Sequence, residues 1–141
     1  MTEKIKTLLG LMKKASCLVR GEDNCIEAIS KGKVRLLLLA SDAGEKLYAR
    51  SERYLEGHSA MKLELPLNKL EFGAALGSGS CSMAAVTDIG FSDSLLKLLV
   101  QYDEDKYFSA AAEIRQKKER LMRRKKVKPG VGTKKKDMKG V

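Results

Sequence analysis

The apolar positions of this chain fall into short blocks separated by glycine and charge. The strongest block is Val34-Arg35-Leu36-Leu37-Leu38-Leu39-Ala40. It has the length of a strand, and apolar residues at consecutive positions require cover on both faces, the habit of a central strand in an α/β sheet. Ahead of it, residues 22–31 predict a helix with Cys25, Ala28 and Ile29 on one side. Glu22 and Asp23 sit in its first turn, where the helix dipole favours acid, and Lys31-Gly32-Lys33 stops it with Gly32 as the C′ residue. Residues 3–15 carry Ile5, Leu8, Leu9 and Met12 at helical spacing with Lys4, Lys6, Lys13 and Lys14 outside. Leu18-Val19-Arg20 then reads as a short edge strand running into Gly21.

After the central strand, Ser41-Asp42 reads as the cap of a helix over 42–56 with Leu47, Tyr54 and Leu55 inward. Met61-Lys62-Leu63-Glu64-Leu65 alternates as a half-buried strand does, and Pro66 closes it. Asn68 caps a short helix through Leu70, Phe72 and Ala75. A turn at 77–80, a buried strand at 83–87 and a helix over 92–100 complete the alternation. Helices and strands in this order with short connections predict a three-layer α/β/α sandwich around a central mixed four-stranded sheet. Beyond it come a basic helix within 102–126, through Ala110, Ile114 and Leu121, and a Lys/Gly-rich stretch, 127–141, that reads as disordered. The expected domain is thus 1–101.

Charge changes the picture more than composition does. Of 141 residues 43% are hydrophobic and only 5% aromatic, which suits one aliphatic core. The formal charge of +10 is uneven: residues 1–101 hold 14 Lys+Arg against 12 Asp+Glu, and residues 102–141 hold 14 against 6. Arg120, Arg123, Arg124, Lys125, Lys126 and Lys128 crowd into nine positions, which points to a polyanion, nucleic acid before an anionic membrane surface. Cys17, Cys25 and Cys81 form no C-x-x-C pair, His58 is the only histidine, and no apolar run reaches membrane length. Those features lead us to expect a reduced, cytoplasmic protein without metal, cofactor or membrane partner.

Candidate chemistry is sparse. Asp42 and Asp88 each follow a buried strand and are either paired carboxylates at one sheet edge or, more simply, helix caps. Gly77-Ser78-Gly79-Ser80 lacks the Gly-Lys-Ser/Thr ending of a phosphate loop and precedes a strand instead of a helix. Lys46, Arg50 and Arg53 make a stripe along one helix face, either solvated or meeting a phosphate. The Gly21-Glu22-Asp23-Asn24 turn is the better candidate: glycine allows close backbone approach, free N–H groups favour phosphate or base-edge acceptors, and the side chains add hydrogen-bonding groups.

Five stretches carry a family resemblance. They are Leu8-Leu9-Gly10-Leu11; Gly21-Glu22-Asp23 with Ala28-Ile29 and Lys31-Gly32-Lys33; Leu37-Leu38-Leu39-Ala40-Ser41-Asp42-Ala43; Phe72-Gly73-Ala74-Ala75-Leu76-Gly77; and Ala85-Val86-Thr87-Asp88-Ile89-Gly90-Phe91. In this order, residues 4–100 resemble the kink-turn-binding ribosomal protein family, the large-subunit "seven-Ae" and "thirty-e" superfamily, nearest its bacterial YlxQ-like branch. The resemblance implies a non-enzymatic binder of a structured RNA, ribosomal or kink-turn-like, associated with the ribosome and monomeric or weakly homodimeric. On that pattern Gly21, Glu22, Asp23 and Asn24 read base edges, Glu27 and Ser41 also bind the RNA, and Lys31 and Lys33 hold phosphates. Ser78, Gly79, Ser80 and Cys81 cover a flipped-out nucleotide. Lys46, Arg50, Arg120, Arg123, Arg124, Lys125 and Lys126 are expected to add phosphate contacts. Two positions depart from the pattern: Asp23-Asn24 replaces Asn-Glu, and Glu27 replaces a Lys, putting a carboxylate where phosphate repulsion costs about 1 kcal/mol. The alternative on the same fold is a protein-interaction or dimerisation module that no longer reads kink-turns.

Overall fold

The computed structural model describes residues 1–127, with side chains through Arg124. The elements are α1 (Glu3–Lys14), β1 (Leu18–Arg20), α2 (Glu22–Ser30), β2 (Leu36–Leu39), α3 (Glu45–Leu55), β3 (Met61–Glu64), α4 (Lys69–Ala75), β4 (Met83–Val86), α5 (Ile89–Tyr102) and α6 (Glu104–Val127). The strands form one sheet in the order β1-β4-β2-β3. β2 and β3 are parallel, and β4 runs antiparallel to both β1 and β2. β1, β2 and β3 therefore all end on the same edge of the sheet, where β4 begins. We call this the upper edge.

Every residue of β2 and β4 is buried, as their consecutive apolar residues require. Leu37, Leu39, Met83 and Ala85 face a core closed by α2 and α3. Leu36, Leu38, Ala84 and Val86 face the other way, onto α1, α4, α5 and α6. The result is the three-layer α/β/α sandwich with a mixed four-stranded sheet.

Three details differ from the sequence reading. Asp42 does not cap the helix after β2: α3 starts at Glu45 with Gly44 as N-cap, and Asp42 Oδ1 accepts from the Lys69 N–H at the start of α4, 2.8 Å away. Asp42 and Asp88 cannot pair, because β2 ends on the upper edge and β4 ends on the lower; Asp88 caps α5 through the Phe91 N–H. Leu70 points to solvent, leaving Phe72 to anchor α4.

The core also continues past Gln101. Tyr107, Ala111 and Ile114 of α6 are buried at i, i+4 and i+7, and the Tyr107 hydroxyl donates to the Glu64 carbonyl at 2.5 Å. α6 begins at the upper edge, where Lys106 meets Glu64, and descends to the lower edge, where Lys118 meets Asp93. The expected disorder of 127–141 falls outside the described residues, except Val127, which ends α6. The side chains of Lys125 and Lys126 lie outside the described residues as well.

Candidate functional site

The strand directions bring three connections to the upper edge: the Gly21 turn after β1, residues 41–44 after β2, and the loop before β4. Between them opens a cleft of about 570 Å³ lined by Arg20, Gly21, Glu22, Gly44, Lys46 and Ser80, among others. Gly21 and Gly44 have nearly the same left-handed backbone, φ +96° for both, and each begins a helix without a side-chain cap. Only glycine adopts this conformation without strain. The first intrahelical bonds are Cys25 N–H to Gly21 O and Tyr48 N–H to Gly44 O, so the N–H groups of residues 22–24 and 45–47 have no partner within their helices. The Gly21 N–H donates to Met83 O at 3.0 Å, which ties the turn to β4.

One side of the cleft is braced by a three-residue network. Arg50 donates to both carboxylate oxygens of Glu22, at 2.8 and 3.1 Å, and the Tyr54 hydroxyl donates to the same carboxylate. The Arg50 guanidinium, then the Tyr54 hydroxyl, hold the Glu22 carboxyl below the usual carboxylate range, and the arrangement raises both Arg50 and Tyr54. The sequence reading assigned Glu22 to base edges and Arg50 to phosphate; the structure joins them across α2 and α3. Tyr54 packs against the α2/α3 core, as its spacing predicts, and its hydroxyl completes this brace.

The other side is the 78–82 loop, which two residues fix. Arg20 donates through Nη2 to the carbonyls of Ser78 and Ser80, at 2.7 and 3.1 Å, clasping the loop around Gly79. Behind it, Gly73 of α4 touches the loop so closely that a Cβ would stand 2.1 Å from Gly79 O. Ser78, Gly79 and Ser80 are exposed, but Cys81 is not: it is buried in the core and its thiol donates to Met83 O at 3.3 Å. Burial pushes both that thiol and Cys25 up, the latter to about 12.

The remaining predicted residues divide between the two edges. Asp23 and Asn24 are exposed beside the cleft, and Asn24 donates to the Arg20 carbonyl at 3.0 Å. Lys46 is exposed on the rim. Ser41 lines a neighbouring cleft with Tyr48 and Glu64. Lys31 and Lys33 follow the far end of α2, about 13 Å away along a nine-residue helix, and Lys31 pairs with Glu27 at 3.1 Å. Arg120, Arg123 and Arg124 lie at the lower end of α6, away from the cleft. Arg20 and Gly73 had no site role in the sequence reading. A lone arginine ending a strand carries no signal, and Gly73 had one only as part of the family-like Phe72-Gly73-Ala74-Ala75-Leu76-Gly77 stretch.

Fold and cleft together define an α/β/α domain whose sheet edge presents a glycine-opened helix start and a fixed loop, the features expected from the resemblance to the ribosomal protein family. No protein-family model matches the chain. RNA-binding protein YlxQ of Bacillus subtilis (strain 168) is 32% identical over 100 residues, spanning 65% of this chain and 91% of that protein. A solved structure of a protein with unknown function from Bacillus halodurans C is 30% identical, covers 67% of this chain and 95% of its own, and superposes with a TM-score of 0.62. The chain belongs to the YlxQ-like branch of that family.

Proposed function

We propose that this protein binds a structured, kink-turn-like RNA, of ribosomal type, through the upper-edge cleft and without catalysing a reaction. The observation that carries the reading is the uncapped, solvent-open start of α2 beside a fixed loop, in a relative of a protein named for RNA binding. Open N–H groups at 22–24 and the free carboxylate of Asp23 present donors and an acceptor to base edges, and exposed Ser78, Gly79 and Ser80 form a lid for an unstacked nucleotide. Glu22 acts through Arg50 and Tyr54: it holds the start of α2 at a set distance from α3. The immediate surroundings carry Arg20, Lys46 and Arg50 against Glu22, Asp23 and Glu45, so bulk charge supplies little attraction there. Recognition at this edge is a matter of shape and hydrogen bonding.

Titration of the full-length protein with a kink-turn RNA and with a straight duplex of equal length, at two salt concentrations, tests this. The bent RNA is expected to bind more tightly at both. Asp23→Ala, which removes an exposed side chain with no described partner, should leave melting unchanged and weaken the bent RNA roughly tenfold, the scale of one lost base-edge contact. Equal affinity for both RNAs would refute the reading.

A further inference from the structure

The upper cleft leaves a further set of exposed cations unused, which among the described residues lies at the opposite end of the molecule. α1 and α2 both descend from the upper edge, so Lys13, Lys14 and Lys33 emerge at the lower one, all exposed. α6 descends on the same face of the sheet as α1, and its Arg120, Arg123 and Arg124 are exposed at the lower end. None of these six has an ion-pair partner among the described residues. Lys117 and Lys118, by contrast, anchor the helix to the Ser59 carbonyl and Asp93. Past Lys118, α6 runs nine more residues, about 13 Å, with no further buried side chain described. From Glu104 at the upper edge to Arg123 the helix axis covers about 29 Å.

We infer that the lower end is a second, sequence-independent RNA site that takes the phosphates of a regular duplex, so that the protein bridges two RNA segments. The inference rests on the cleft reading, since it needs a first RNA at the upper edge. In a regular RNA duplex the base edges that an arginine fork could read lie in a major groove too deep and narrow for side chains, so exposed arginines and lysines meet its phosphates and not its sequence. Both groups face away from the cleft, so an RNA seated in the cleft must extend around the body to reach them. A second segment reaches them directly.

The test immobilises a kink-turn RNA, saturates it with full-length protein, washes, and adds a fluorescent straight RNA duplex. Wild type should retain the duplex. The R120E/R123E/R124E variant should retain at least tenfold less, with its kink-turn affinity changed less than threefold. The salt slope of duplex retention should fall by about 2–3 in the variant, one unit per lost phosphate contact. Capture of the protein without retention of duplex overturns bridging alone. Equal weakening of both RNAs by the variant overturns it too, because one RNA would then span both ends. Binding of phosphatidylserine vesicles through the three arginines, with no duplex retained, assigns the helix to a membrane and also overturns it. Failure of the immobilised RNA to capture the protein refutes the cleft reading and bridging with it.

Discussion

Gly73 offers the sharpest test of how packing behind the cleft sets its shape. A methyl group at this position would stand 2.1 Å from Gly79 O, 2.5 Å from Gly79 C and 2.7 Å from Ser80 Cα. All three are backbone atoms, so no side chain can swing aside. Ordinary contact begins near 3.4 Å, so relief requires the loop to retreat by about 1.3 Å. Arg20 grips the carbonyls on either side of Gly79 at 2.7 and 3.1 Å, and a shift of that size is large enough to take both bonds out of hydrogen-bond range. Overpacking costs about 1–3 kcal/mol, and two charge-assisted bonds at an exposed site add about 1–2 kcal/mol. Gly73→Ala should therefore destabilise by about 2–5 kcal/mol, within the total stability of an ordinary domain.

Urea unfolding followed by circular dichroism reads the first effect, and kink-turn titration reads the second. Gly73→Ala should lower the unfolding midpoint and weaken the bent RNA at least tenfold, because the lid is displaced from the cleft. Arg20→Met separates the contributions: it releases the loop without crowding it, so it should cost only about 1–2 kcal/mol while weakening RNA to a similar degree. A Gly73→Ala protein within 0.5 kcal/mol of wild type and binding RNA normally would show that neither packing nor clasp holds the loop.

Two further outcomes concern α6. Ile114→Ala should cost about 2–5 kcal/mol in urea unfolding, since Ile114 is fully buried; a cost under 1 kcal/mol would mean that α6 is a detachable appendage. Asp93 is buried against Lys118 at 3.2 Å and Lys97 at 3.3 Å; burial pushes its carboxyl up, but the two lysines outweigh that and hold it below its ordinary 3.8. A carboxyl depressed on folding stabilises fully above its unfolded value, and that stabilisation fades as pH falls through the folded one. Wild type should thus exceed Asp93→Asn in stability at pH 7, with the gap narrowing only below about pH 4; a gap constant down to pH 2 would refute the pairing.

Much of this architecture is legible in the residues. Two apolar runs, 34–40 and 83–87, demand cover on both faces, and the periods of the intervening segments supply the helices. The Gly21 start of α2 is legible too, because glycine before an acidic first turn has few other uses. The brace is not. Glu22 stands 28 residues from Arg50 and 32 from Tyr54, and nothing local tells which face of α3 will lie against α2. In α6 the apolar positions Tyr107, Ala111 and Ile114 are present at helical spacing, yet the surrounding charge gives the segment the look of an appendix. Cys81 misleads for the opposite reason: a polar-looking loop ends in a side chain that the core takes in.

The division of charge also limits how the two ends can work. At the upper edge acids match bases, so an RNA arriving there gains no long-range pull and is held by fit alone, with weak dependence on salt. At the lower end Arg120, Arg123 and Arg124 stand without described acidic partners, and binding there must weaken steeply as salt rises. Raising salt should therefore strip a duplex from the protein before it releases the bent RNA. A single slope for both RNAs would contradict the separation, because two sites of such different charge cannot respond to counterions alike.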